Sequence, residues 1–127
     1  MAEPVEYIAL IPQFVVPDVV ATAEFYRDKL GFTIDGYFLD PPVYAMVRRG
    51  SVEIHFGKSD SGAVNVNESV RRGLGNDVFI VVSNINAVYD ELIAAGVEVI
   101  EGPVKRIYGS IEVTINDCNG HQIVFAD

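Results

Sequence analysis

The sequence predicts an α+β fold made of two βαβββ modules, and three observations carry that reading. Val15-Val16-Pro17-Asp18 returns as Val81-Val82-Ser83-Asn84 at a spacing of 66. Gly31 returns as Gly96 at a spacing of 65. Between these anchors each half runs in the same order: an apolar strand-like run, a capped helix, then three short strand-like runs.

In the first half, residues 7–16 are rich in strand formers and end at Pro17-Asp18. Asp18 is placed to cap a helix running to about Leu30, with Ala21, Phe25 and Leu30 as its apolar stripe and Val20 and Tyr26 beside it. Gly31 is its stop. Strand-like runs follow at 32–39, 44–49 and 51–56, separated by Asp40-Pro41-Pro42 and by Arg49-Gly50. In the second half, 77–82 is β-branched and Ser83-Asn84 caps a helix from about Ile85 to Ala95. Val88, Leu92 and Ala95 lie on one face of that helix, and Gly96 stops it. Short strands are expected at 97–100, 110–116 and 122–126, the last two joined by Asp117-Cys118-Asn119-Gly120, whose Asn-Gly is a hairpin signal. The chain is thus one domain, with modules at about 5–57 and 77–127 and a Gly-, Ser- and Asn-rich linker at 58–76.

The chain has 127 residues, half of them hydrophobic and only 21% charged, enough for a packed core. Nine basic against eighteen acidic residues give a net charge of −9. That charge argues against nucleic acid as a partner and against an anionic membrane surface. The most apolar stretch, 7–23, is interrupted by Pro12, Gln13, Pro17 and Asp18 and does not read as a membrane span. No basic-then-apolar leader is visible, so a cytoplasmic protein is expected. A lone cysteine, Cys118, leaves no internal disulfide and no Cys-rich zinc site. The acidity serves solubility, or it attracts a cationic ligand; the placement of the carboxylates decides between the two.

Three stretches resemble the vicinal oxygen chelate superfamily, which includes glyoxalase I, extradiol dioxygenases and bleomycin resistance proteins. They are Val16-Pro17-Asp18 with Phe25-Tyr26-Arg27-Asp28-Lys29-Leu30-Gly31-Phe32, then Arg48-Arg49-Gly50 leading into Val52-Glu53-Ile54-His55-Phe56, and finally Asp117-Cys118-Asn119-Gly120-His121. Cys118 stands where the family usually has proline. The resemblance implies a curved mixed sheet with the helices on its convex side and a concave cup inside, where small ligands bind.

In metal-dependent members one ligand comes from the first and one from the last strand of each module. Carried over, those positions are Ile11, Glu53, Asp77 and Val124, two carboxylates and two aliphatic groups. A catalytic site needs about three protein ligands, so no metal or other cofactor and no catalytic residue is expected. Glu53, His55 and Asp77 are the remaining metal candidates, and a metal-dependent glyoxalase-type lyase or isomerase is the alternative function. His121, beside a turn, is expected at the surface.

Strand alternation gives the inward set. Ile11, Gln13 and Val15 come from the first strand, Tyr44, Met46 and Arg48 from the third, and Glu53 and His55 from the fourth. Asp77, Phe79 and Val81, then Glu112 and Thr114, come from the second module. Tyr37, Phe38 and Tyr108 are flanking aromatics. The resulting ligand-binding set is Gln13, Tyr37, Phe38, Tyr44, Met46, Arg48, Glu53, His55, Asp77, Phe79, Tyr108 and Glu112. Aromatic walls with three carboxylates suit a flat cationic or aromatic molecule. Pairing of those carboxylates with Arg48 or Arg106 is the structural alternative, and a filled concavity without a ligand is a third. Among family branches the chain looks like the bleomycin resistance proteins, which implies a homodimer that sequesters an antibiotic without chemistry.

Overall fold

The structure, a computed structural model, describes residues 4–70 and 75–127. Residues 71–74 of the expected linker lie outside the described residues. The elements are β1 (Gln13–Val16), α1 (Val19–Leu30), β2 (Thr33–Phe38), β3 (Tyr44–Arg49), β4 (Val52–Lys58), β5 (Val78–Val81), α2 (Ile85–Ala94), β6 (Val99–Lys105), β7 (Ile111–Asn116) and β8 (Gln122–Ala126). They form two four-stranded mixed sheets of matching topology, ordered β1-β4-β3-β2 and β5-β8-β7-β6. In each, the first strand lies parallel to the last and the other neighbours are antiparallel. Two βαβββ modules are therefore present.

The helix signals act as the sequence predicts. Asp18 Oδ1 accepts the Ala21 N–H at 3.0 Å, and Asn84 Oδ1 accepts the Ala87 N–H at 3.1 Å. Gly31, at φ +75, donates its N–H to the Tyr26 carbonyl. The buried stripe of α1 differs from the expected one. It is Val19, Thr22, Ala23, Tyr26 and Leu30, with Phe25 half-buried at its margin and Ala21 exposed. That is the 3–4 spacing counted from Val19, the first residue after the cap. On α2, Ile85 and Leu92 are buried and Val88 and Ala95 partly so.

Two strand boundaries also move. β1 begins at Gln13 rather than at residue 7, because residues 4–11 run outside the sheet with Tyr7 98% and Leu10 88% exposed. Pro12 then offers only its carbonyl, which accepts from the His55 N–H. β6 runs on to Lys105 through two register shifts. Gly102 sits at φ +102 there, and a Cβ would collide with the Glu112 carbonyl, so only glycine fits.

The core lies between each sheet and its helix. Phe14, Val16, Ala45, Val47, Ile54 and Phe56 bury one face of the first sheet, and Tyr26 of α1 packs on Phe56 at 4.9 Å between centroids. Val113, Ile115, Ile123 and Phe125 do the same in the second module, beneath Ile85 and Leu92. Each of the Val, Ile, Leu and Phe side chains contributes roughly 1.5–3 kcal/mol on burial.

Among the described residues no strand of one sheet pairs with the other. Side chains join the modules instead. Tyr26 donates to Asp117, Asn119 Nδ2 donates to Thr22 Oγ1 at 2.9 Å, and Lys29 Nζ donates to the Ala95 carbonyl at 2.9 Å. The His121 ring stacks on Phe14 at 4.1 Å and 9°. No described helix is long and apolar enough to cross a membrane.

Candidate functional site

The face of the first sheet turned away from α1 carries most of the expected site residues, ordered by register. Gln13, His55, Met46 and Gly36 lie in one row across four strands. Val15, Gly57, Tyr44 and Phe38 form the next, and Glu53, Arg48 and Thr33 lie on the other side. Gly57 leaves a gap between Val15 and Tyr44 on a central strand, and Gly36 lies at the β2 edge beside Met46.

One hydrogen-bonded chain crosses it. Tyr44 Oη meets His55 Nδ1 at 2.8 Å, and His55 Nε2 meets Glu53 Oε2 at 2.5 Å. Arg48 Nη2 donates to Glu53 Oε1 at 2.6 Å, and Arg48 Nε donates to Asp35 Oδ2 at 3.1 Å. Two carboxylates face one guanidinium, and Glu53 spends both oxygens inside the chain. Asp35 was not among the expected residues; it stands at the bulge between Ile34 and Gly36, which alternation alone does not reveal.

Tyr37 is a correction. It pairs with Ala45, whose side chain is buried in the core, so Tyr37 lies on the helix side while Phe38 lies on the open face. Adjacent strand residues point to opposite faces, so the two aromatics do not flank one cup. Burial, then the nearby Glu24 carboxylate, pushes the Tyr37 phenol up.

The second sheet repeats the rows with different exposure. Phe79, Val124, Thr114 and Glu101 share one, and Val81, Ala126, Glu112 and Val104 the next. Phe79 and Val81 on edge strand β5 are open, whereas Val124, Thr114 and Glu112 are buried. Glu112 is 3% exposed and has both oxygens taken, by Arg106 Nε at 3.0 Å and by the Tyr108 hydroxyl at 2.7 Å. Arg106 also pairs with Glu101. Burial opposes the Glu112 charge, but hydrogen bonds from Tyr108, Arg106 and Ser110 outweigh it and hold the carboxyl below its ordinary range. The same contacts push Arg106 up, through Glu101 first and then Glu112, and push Tyr108 up through Glu112. Around Glu112 this half of the inner surface is filled by the protein itself, and both arginine pairings that the sequence left open, Glu112–Arg106 here and Glu53–Arg48 on the first sheet, are made.

Asp77 stands between the halves. Its Oδ1 accepts the Asn67 N–H at 3.0 Å and its Oδ2 the Gln122 N–H at 2.9 Å, so it clips the linker to β8. With Gln13, Asn65 and Asn67 it lines a recess of about 580 Å³. His121 lines it too, and the expectation of a surface histidine fails there: it is 2% exposed, sandwiched on Phe14 with Nδ1 3.4 Å from Asp117 Oδ2. A histidine one residue after a turn glycine looks solvated in sequence; the module joint closes over it.

The donor set does not fit a metal. Ile11 and Val124 offer no lone pair, Glu53 and His55 are committed to each other, and Asp77 is held by two backbone N–H groups. Among the described residues no three His, Cys, Asp or Glu side chains gather as a cation would require.

Comparison with known proteins agrees with this architecture. Residues 7–125 match the family model of the Glyoxalase/Bleomycin resistance protein/Dioxygenase superfamily. No curated protein matches the chain. A bleomycin-binding protein from Streptomyces verticillus, solved with copper(II)-bleomycin, shares the fold at TM-score 0.70 and 22% identity, over 96% of this chain and 97% of that one. TioX from Micromonospora sp. ML1 does so at 0.74 and 13%, over 94% and 98%. A glyoxalase/bleomycin resistance protein/dioxygenase from Nocardioides does so at 0.69 and 19%, over 98% and 85%. With the duplicated βαβββ modules, their matched capping motifs and a family match over nearly all its length, the chain belongs to the glyoxalase/bleomycin resistance protein/dioxygenase superfamily.

Proposed function

We propose that this protein is a cytoplasmic small-molecule binder that sequesters a cationic or aromatic ligand, such as an antibiotic, without chemistry. The observation that carries the reading is the contrast between the two sheets. The second buries Val124, Thr114 and Glu112 on its inner face and opens only at its β5 edge, while the first keeps Gln13, Phe38, Tyr44 and Met46 at least partly exposed around Gly57. Its polar chain is fully hydrogen-bonded and preorganised, with carboxylates in excess over guanidinium. Aromatic and thioether walls beside carboxylates favour a flat cation. Aliphatic groups at two of the four family ligand positions speak against the metal-dependent lyase.

A homodimer fits the same surface. Edge strands β1 and β5 leave one side unpaired, and Val15, Phe79 and Val81 stand 57%, 55% and 74% exposed along them. A second copy laid along these edges would wall the open half-cup.

Calorimetric titration with metal-free bleomycin, at low and at moderate salt, tests the proposal. Saturable, salt-sensitive binding, weakened about tenfold in Glu53→Gln, is the expected result. No heat at either salt removes this ligand class, and turnover of a glyoxalase substrate would replace sequestration with catalysis. A molecular mass of one chain in light scattering would remove the dimer.

A further inference from the structure

We propose that the cleft between the two modules is a second binding site, for a small aromatic or branched aliphatic monoanion. It lies between the β3–β4 turn and the β5–α2 corner and measures about 560 Å³, within the range of small-molecule pockets. Phe32, Ile80 and Leu92 line it, all three in the hydrophobic core. Ile80 points to the opposite face of β5 from Phe79, so the floor of the cleft lies on the helix side of the sheet, and only Val81, at its margin, also borders the inner surface described above.

The charge at its rim sets the ligand class. Lys29, Arg49 and Glu91 stand there, two cations to one carboxylate in a chain of net charge −9. Arg49 is committed: it donates to the Leu30 carbonyl at 2.9 Å and pairs with Glu91 at 2.9 Å. Its guanidinium lies against Gly31, where a Cβ would come within 2.9 Å, so the arginine is packed in place. Lys29 has three N–H donors and spends one on the Ala95 carbonyl at 2.9 Å. An incoming cation meets a net positive rim. A carboxylate meets an ammonium with donors to spare, while its apolar part covers the core residues beneath.

Fluorescence or calorimetric titration with 2-naphthoate, against its neutral counterpart 2-naphthylmethanol, tests this site. Ala87 is exposed on the α2 wall, and Ala87→Phe fills the cleft from the solvent side. Saturable binding of 2-naphthoate is expected, about tenfold weaker in Ala87→Phe and about threefold weaker in Lys29→Gln, with unchanged circular dichroism. Ser51→Phe, from the opposite wall, stands in if Ala87→Phe does not fold. Absence of saturable binding overturns the site, as does binding that survives the filling variant. Equal affinity for 2-naphthylmethanol overturns the anion assignment. Loss of naphthoate binding in Gly57→Phe instead would move the ligand to the inner face of the first sheet and overturn the proposal without touching the sequestration reading.

Discussion

The Tyr26 hydroxyl donates to Asp117 Oδ2 at 2.7 Å across 91 residues of sequence, entirely out of solvent. Tyr26 belongs to the FYxxxLGF-like stretch of α1 and Asp117 to the turn before β8, so two of the motifs that mark the family are each other's partners. Asp117 Oδ1 meanwhile accepts the N–H groups of Asn119 and His121, which shapes the turn. Burial first, and then the Asp117 charge, pushes the Tyr26 phenol well up, which keeps its proton on the oxygen as the donor of this bond.

Tyr26→Phe should therefore destabilise the fold by about 1–3 kcal/mol, the cost of a buried carboxylate oxygen left without its donor. Calorimetric unfolding checks it, and an unchanged Tm would show that Asp117 finds another partner.

Gly57 should be the position at which ligand binding is blocked most cheaply. It sits between Val15 and Tyr44 on the open face, with Tyr44 Cδ1 3.9 Å from where a Cβ would stand. Gly57→Phe is expected to leave thermal stability within about 1 kcal/mol and to abolish binding of the metal-free bleomycin probe. Retained affinity would place the ligand elsewhere.

Gly102 has no such latitude. With φ at +102 and the Glu112 carbonyl against its Cα, Gly102→Ala combines backbone strain with a main-chain clash. A loss of about 3 kcal/mol or more is expected, seen as a fall in the urea midpoint or as insoluble protein. An alanine variant with wild-type stability would mean that β6 can re-register.

Acid should weaken the second module through Glu112. Its carboxyl is held below its ordinary range in the fold, so the unfolded chain binds the proton more readily. The stabilisation is complete above the unfolded value of about 4.3 and is lost as pH falls through the lower folded one. Urea melts between pH 3 and pH 6, roughly spanning that window, should show a slope that flattens in Glu112→Gln. Equal slopes would mean that other carboxylates carry the acid sensitivity.

Much of this was legible in the sequence because it is local. Caps at Asp18 and Asn84, the stop at Gly31 and the alternation of β3 and β4 are decided within a few residues of themselves. The failures are non-local. Residues 7–11 have strand composition but pair with no strand among the described residues. His121 is buried by Phe14, a residue of the other module, and nothing near it in sequence announces that. Composition groups Tyr37 with Phe38, and the period of two separates them. Alternation turns Glu112 inward, but its burial depends on an arginine and a tyrosine folding back from the β6–β7 loop.

The two sheets share a topology and no main-chain hydrogen bond, so a change on the inner surface of one need not be answered by its twin. The repeat therefore carries two surfaces that can vary independently: around Glu112 one is packed with its own side chains, while the matching face of the other leaves Gln13, Phe38, Tyr44 and Met46 at least partly uncovered.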